Sequence, residues 1–352
     1  MSNPTLPPPA RPAVQGRLEA LLGHLDTRHL AGQRIFVTGG TGFFGYWLLS
    51  LFDLLHRQGV ALEVCVLSRS PAAFLARAPF FADAPWLNWQ AGDIKDFGPT
   101  PAADLLIHAA TDTDADAHRH PLAIMDDILL GTRHTLERAR EAGVRRALYV
   151  SSGAVYGRQP ADVAQIPEDA PFACDALHPG SAYGEAKRAA EQWSLQFGQR
   201  HGIAIPVARC FAFVGATLPL AGHFAIGNFI RDALAGQHIQ VSGDGSPLRS
   251  YLYGADLAIW LLTLLLQGAH GRAYNVGADR ALSIAELAHR VRDTLAPAAA
   301  VHIAHGHDDK AARNRYIPSI ERARHELALD AWTPLEDAIR LTAECAFFVS
   351  QP

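Results

Sequence analysis

The sequence predicts an α/β protein in which helices wind about both faces of an open parallel sheet, followed by a smaller C-terminal lobe. Three observations carry this expectation. From Gln33 onward, short runs rich in Val, Ile and Leu alternate with longer helical patterns, the rhythm of βαβ units. The first run ends in a glycine-rich turn that leads directly into an apolar helix. After Cys210 the alternation weakens into Gly- and Pro-containing loops with short helices, a composition suited to a small lobe closing over a sheet edge. With 352 residues, 49% of them apolar, the chain can bury a core of ordinary size in one large domain or two interleaved lobes.

Residues 1–33 read as an N-terminal extension with a short helix. Its proline-rich start, Met1 to Gln15, lacks the apolar core of a signal peptide and reads as a disordered lead-in. Strands are expected at Arg34 to Thr38, Leu62 to Leu67, Leu87 to Ala91, Asp104 to Ala109, Arg146 to Ser151 and Ile205 to Cys210, with helices between them. The helix from Phe44 to Arg57 carries Trp47, Leu48, Leu49, Leu51 and Phe52, so it is apolar nearly all round and should be packed between the sheet and its neighbours. The run Leu257 to Leu266 has about half the length that spans a bilayer, and reads as a buried helix. Residues 34–210 and 250–278 are therefore assigned to the sheet domain, and 211–249 and 279–352 to the smaller lobe, which should hold substrate.

The formal charge of −4 gives no basic stripe to track a phosphate backbone and no polybasic anchor, so neither nucleic acid nor a membrane is an expected partner. Cys65, Cys174, Cys210 and Cys345 are scattered without CxxC spacing, so no disulfide framework and no zinc site is expected, and a reducing, cytoplasmic setting fits.

The segment Ile35 to Gly45 is a strand, a turn of pattern TGxxGxxG and the start of a helix. Gly39 permits the tight turn, Gly42 lets backbone N–H groups approach a pyrophosphate, and Gly45 lets helix and strand pack closely, while the helix N-terminus adds partial positive charge. This is a Rossmann-like dinucleotide site, with Gly39, Thr41, Gly42, Phe43, Phe44 and Gly45 as its cofactor-binding residues. The second strand runs into Ser68 and Arg69, where an NAD site would usually place an acid for the ribose 2′-hydroxyl. A hydroxyl and a guanidinium suit a 2′-phosphate instead, so NADP is the preferred cofactor, with NAD possible. Asp93, followed by Ile94, either accepts from the adenine amino group or is a plain turn carboxylate.

The strand that ends at Ser151 and Ser152 opens into Gly153, Ala154, Val155 and Tyr156, and the next helical stretch carries Tyr183 and Lys187. Four residues apart, these two project from one helix face. A lysine ammonium and an oxidised nicotinamide nearby favour a phenolate, so Tyr183 can exchange a proton with a sugar hydroxyl or ketone while hydride moves. Ser152 would donate a hydrogen bond to the same oxygen.

On these residues, from about Arg34 to Leu335, the chain resembles the extended short-chain dehydrogenase/reductases, the NAD-dependent epimerase/dehydratase family of nucleotide sugars. The resemblance implies Ser152, Tyr183 and Lys187 as a catalytic triad, a homodimer, and His108, Ala109, Ala110 and Thr111 near the nicotinamide ribose. In GDGSPLRSYLYGADLA, Arg249 looks like the arginine that grips a substrate diphosphate, and Arg315 resembles a second one. YNVG at Tyr274 to Gly277 is a further match. The family's usual asparagine on the substrate phosphates is Ala212 here, and Asn228 is the candidate to supply an amide instead. His223 resembles a histidine that protonates a carbanion beside a ketone in GDP-sugar epimerase-reductases of the family. His118 and His120 read as a solvated loop, and no metal-ligand set is expected.

The 4,6-dehydratases of this family carry Asp-Glu directly after the catalytic hydroxyl residue, and the UDP-glucuronate decarboxylases keep a glutamate there; this chain has Gly153 and Ala154. Neither can move a proton, which disfavours dehydratase and decarboxylase chemistry and leaves hydride transfer at an oxygen-bearing carbon. A 4-ketoreductase of a nucleotide-linked 4-keto-6-deoxy sugar is expected, with an epimerase as the alternative. A non-catalytic NADP-binding sensor is the rival of another class, and the intact Ser152, Tyr183 and Lys187 argue against it.

Overall fold

A computed structural model describes residues 10–111, 119–222, 224–304 and 314–346. In chain order it begins with the helix α1 (Ala10–Leu21), β1 (Gln33–Thr38), α2 (Phe43–Arg57), β2 (Leu62–Ser68), α3 (Pro71–Arg77), β3 (Leu87–Ala91), β4 (Leu105–His108), α4 (Pro121–Ala142), β5 (Arg146–Ser152), α5 (Ala182–His201) and β6 (Val207–Cys210). There follow β7 (Phe213–Val214), α6 (Ala225–Leu234), β8 (Ile239–Val241), β9 (Leu248–Arg249), β10 (Leu252–Tyr253), α7 (Gly254–Gln267) and β11 (Ala273–Val276). The remaining elements are β12 (Leu282–Ser283), α8 (Ile284–Leu295), β13 (Val301–Ile303), β14 (Arg315–Tyr316), α9 (Glu321–Leu327) and α10 (Leu335–Ala346).

The main sheet has the order β11-β6-β5-β4-β1-β2-β3, and every neighbouring pair in it is parallel. Of its central strands, β4 and the Ile35–Thr38 part of β1 are buried because helices cover both faces, which is why they read as continuous apolar runs. On one face α2 and α7 supply Leu48, Leu51, Trp260 and Leu261, and on the other α4 and α5 supply Ile124, Ile128, Ala186 and Ala190. The strand order reverses between β1 and β4, so the loops that follow these two strands flank a crevice of the kind that takes ligands.

The six predicted strands are present, with ends displaced by at most two residues. β6 starts at Val207 because Pro206 has no N–H to give the ladder. The helix of Leu257 to Leu266 lies within α7, every residue of which from Gly254 to Leu265 is buried. Among the described residues no helix is long and apolar enough to cross a membrane.

One expectation is overturned at the N-terminus. Ala10 to Gln15 are not a disordered lead-in but the opening turns of α1, whose Val14, Leu18 and Leu21 are buried in the core. Pro12 costs the helix no hydrogen bond there, since the first N–H groups of any helix lack an internal partner. Arg11 pairs with Asp53 at 2.7 Å, and Gln15 donates to the Ser50 carbonyl at 3.2 Å, so α2 captures α1 through polar contacts as well as apolar ones. Met1 to Pro9 lie outside the described residues.

Past Cys210 the strands are short and form separate small sheets: β7 with β10, β8 with β13, and β9 between β12 and β14. β11 alone among these later strands joins the main sheet, at its edge beside β6.

Candidate active site

The turn after β1 is shaped by backbone crowding. Gly39 has a left-handed φ of +76°, and a Cβ there would come within 2.5 Å of the Ala109 carbonyl oxygen and 2.7 Å of the Ala110 nitrogen. A Cβ on Gly45 would lie 2.2 Å from the carbonyl carbon of Gly40. Gly39 thus joins the two loops of the crevice, while Gly45 packs on its own turn rather than on the strand. Gly42 is the N-cap of α2 and offers no side-chain cap, and a Cβ on it would touch only the Gly39 oxygen at 3.6 Å. An uncapped helix start with open space before it, flanked by Thr41, Phe43 and Phe44, fits the pyrophosphate of a dinucleotide.

At the end of β2, Ser68 is buried and accepts from the Ser70 N–H at 3.2 Å, while Arg69 is exposed. Gly92 donates to the Ser68 carbonyl at 3.1 Å, which brings the Asp93 loop beside them. Asp93 accepts from the Lys95 N–H at 3.0 Å, the turn role that was one of its two readings. Ile94 rests on α4, where a Cβ on Gly131 would come within 3.0 Å of it. His108 does not face the crevice. It is buried, with its ring nitrogens 2.8 Å from Thr38 Oγ1 and 3.0 Å from Thr132 Oγ1, and burial lowers its pKa to about 3, so the ring is neutral.

Ser152, at the end of β5, accepts from the Ala154 N–H at 3.2 Å and lies within hydrogen-bonding reach of the Tyr183 phenol on α5. Burial raises Tyr183 to about 12, with the Ser152 bond opposing it. Desolvation thus favours the protonated phenol, against which an oxidised nicotinamide would act. Lys187 is buried and donates to Thr111 Oγ1 at 2.7 Å and to the Val150 carbonyl at 2.9 Å. Its ammonium thereby ties the loop after β4 to β5, and burial lowers its pKa to about 8. Below that value Lys187 is charged, and above it the charge is lost. We therefore expect kcat/KM for any reaction that needs the ammonium to fall as pH rises through about 8. In Lys187→Arg a pH profile should show that limb displaced to higher pH, and an unmoved limb would assign the ionisation elsewhere.

Gly153 and Ala154 follow Ser152 in a short 3-10 turn, and their surroundings were not foreseen. A Cβ on Gly153 would lie 2.7 Å from the Tyr316 hydroxyl and 2.7 Å from Phe211 Cζ. Tyr316 reaches this place from β14, donates to the Cys210 carbonyl at 3.4 Å and lies within hydrogen-bonding reach of Ser152. In the β9–β14 register Tyr316 pairs with Arg249, and Arg315 pairs with Leu248. Paired residues share a sheet face, so the register sets Arg249 beside Tyr316 and places Arg315 on the alternate face. Arg249 donates to the Leu248 and Asn314 carbonyls at 2.7 and 3.3 Å, and burial lowers its pKa. The Asn228 amide is engaged by its own loop: it donates to the Gly222 carbonyl at 2.9 Å and accepts from Arg231 at 3.1 Å. His120 is exposed at the start of α4, while His118 and His223 lie outside the described residues.

Next to Ser152, through its neighbour Ser151, is a part-buried ionic network that sequence reasoning also missed. Glu191 accepts from Ser151 Oγ at 2.6 Å and from both Nε and Nη2 of Arg209, the latter at 2.7 Å. Arg209 also donates to the Tyr156 hydroxyl at 2.8 Å, which donates to Asn275 Oδ1 at 2.8 Å. Asn275, from YNVG, in turn donates to the Ile166 and Ser319 carbonyls. One signal was available: Glu191 stands four residues after Lys187 and so shares the face of α5 that carries the triad.

Residues 35–277 match the sequence model of the NAD dependent epimerase/dehydratase family. The chain belongs to this family. It is an enzyme of the extended short-chain dehydrogenase/reductase type. It is 26% identical to UDP-glucuronic acid decarboxylase 1 of Danio rerio over 89% of this chain and 72% of that protein. To UDP-glucuronic acid decarboxylase 6 of Arabidopsis thaliana it is 26% identical over 89% of each chain. Among solved structures, UDP-glucose 4-epimerase of Thermotoga maritima superposes with a TM-score of 0.73 at 22% identity, covering 89% of this chain and 98% of that one. The dTDP-glucose 4,6-dehydratase of Bacillus anthracis, solved with NAD, gives 0.72 at 19% identity, covering 89% and 96%. These two likenesses show the fold, and the family membership carries the dependence on a nicotinamide cofactor.

Proposed function

We propose that this family member reduces the 4-keto group of a nucleotide-linked 4-keto-6-deoxy sugar with NADPH. The observation that carries the reading is the pair Gly153 and Ala154 after Ser152, which leaves a hydroxyl, a phenol and an ammonium but no carboxylate at those positions. When bound, the reduced nicotinamide supplies hydride to the carbonyl carbon. Tyr183, protonated at neutral pH, gives its proton to the carbonyl oxygen, which Ser152 orients. The Lys187 ammonium stabilises the phenolate left behind until solvent restores the proton. The sum is ketone, NADPH and a proton giving alcohol and NADP⁺.

The absence of an acid at Ser68–Arg69 supports NADP over NAD. Relatives named for UDP-linked sugars support a nucleoside diphosphate substrate, with Arg249 as the group for its phosphates. Exposed Leu122 and Leu130 on α4 and Trp193 on α5 support homodimer formation through these helices, and light scattering showing a monomer at micromolar concentration would remove that part of the reading.

Purified enzyme mixed with NADPH and a panel of UDP-, GDP-, CDP- and dTDP-linked 4-keto-6-deoxy sugars should consume NADPH in proportion to alcohol formed. Isomerisation of a nucleotide sugar without NADPH loss would replace the reading with an epimerase, and carbon dioxide release from UDP-glucuronate would replace it with a decarboxylase.

A further inference from the structure

We propose that Tyr316 is a positioning and specificity-determining residue of the active site: its phenol occupies the space that any side chain at position 153 would need and orients the Ser152 hydroxyl. This rests on the hydride-transfer reading above and adds to it the reason no proton-transferring side chain follows Ser152. A Cβ on Gly153 would meet the Tyr316 hydroxyl at 2.7 Å and Phe211 at 2.7 and 2.8 Å, all closer than real Cβ contacts. The two rings lie with centroids 4.5 Å apart at a tilt of 34°, and Tyr316 OH donates to the Cys210 carbonyl at 3.4 Å. Together they form a wall over Gly153.

The wall is held from both sides. The Ile317 N–H donates to Gln159 Oε1 at 2.9 Å, the Ile317 carbonyl accepts from Ile166 at 2.9 Å, and the Ser319 carbonyl accepts from Asn275 at 3.0 Å. Gln159 is itself buried and donates to the Val163 and Ala164 carbonyls. A two-residue strand would not fix a side chain by itself, but these bonds clamp the segment after Tyr316 to the loop that follows the triad turn.

At the centre, the Ser152 hydroxyl is within hydrogen-bonding reach of both Tyr183 and Tyr316. It carries one proton, so it can donate to only one oxygen at a time. Tyr316 gives its own proton to the Cys210 carbonyl at 3.4 Å, so it meets Ser152 as an acceptor and fixes the direction in which the serine hydroxyl points. Burial raises Tyr316 and keeps it a neutral donor.

The test uses the full chain and two cycles of variants. In turnover, Tyr316→Phe keeps the ring and loses the hydroxyl, so kcat should fall about tenfold while KM for NADPH stays unchanged. In a Ser152→Ala background the same change should have little further effect, because the hydroxyl acts through Ser152. Additive losses in the two backgrounds would reduce Tyr316 to a structural residue and overturn this leg. The cycle is read in whichever hydride exchange the wild type performs, so failure of the ketoreductase reading in favour of an epimerase leaves it intact. In thermal unfolding, Gly153→Ala should lower Tm in the wild-type background and much less in Tyr316→Ala, where Phe211 can move aside. Equal losses in both would show that Tyr316 does not hold the space, whatever reaction the enzyme catalyses.

Discussion

Tyr183→Phe should lower kcat by about 10²–10⁴-fold with NADP(H) affinity changed by less than about twofold. Burial raises the phenol to about 12 and so keeps it protonated at neutral pH beside Ser152, which is a far weaker acid, while the Lys187 ammonium is directed at Thr111 and Val150. Removal of the hydroxyl leaves the ring, and hence the packing of α5 on β5, in place. Lys187, bonded to Thr111 and Val150 rather than to Tyr183, keeps its own position. The loss should therefore appear in the chemical step and not in cofactor binding, which stopped-flow turnover and fluorescence titration with NADPH measure separately. Unchanged activity would transfer the proton to another group and strengthen the view of the protein as a cofactor sensor.

The largest stability effect should come from Glu191→Leu. Its carboxylate accepts from Ser151 and, in bidentate fashion, from Arg209, and the two side chains are 11% and 17% exposed. Removal of the acid leaves the guanidinium buried with only the neutral Tyr156 hydroxyl and Glu168 carbonyl as acceptors. A broken buried pair costs about 3–5 kcal/mol, whereas replacing both partners by apolar groups is often nearly neutral. Urea unfolding should show a loss of that order for Glu191→Leu and recovery of a good part of it in Glu191→Leu/Arg209→Leu. A loss under about 1 kcal/mol would mean that the pair is effectively solvated. The same variant removes a negative charge that supports the Lys187 ammonium, so the alkaline limb near pH 8 should shift to lower pH.

Much of the frame was legible along the chain because its signals are local. The strand runs of β1, β2 and β3, the glycines of the first turn and the spacing of Tyr183 and Lys187 each depend on neighbours a few residues away. The start of the N-terminal helix, Ala10 to Gln15, was misread for the opposite reason. Proline-rich composition argued for disorder, and only the docking of Val14 and Leu18 on α2 and α7 made a helix there stable. The resemblance singled out Arg315, and nothing along the chain marked its neighbour Tyr316, which reaches Ser152, because one residue of register exchanges the faces of a strand.

The sequence by itself determined the Rossmann-like order of elements, the glycine-rich first turn, the four-residue spacing of Tyr183 and Lys187, and the absence of an acid after Ser152. The tertiary structure decided that the Tyr183 phenol is desolvated, that a Cβ on Gly153 would meet the Tyr316 hydroxyl, and that Arg249 is paired with Tyr316 rather than with Arg315. Patterns of period 2 and 3.6 survive in a linear string, but desolvation and contacts between residues 163 positions apart arise only when the chain closes on itself.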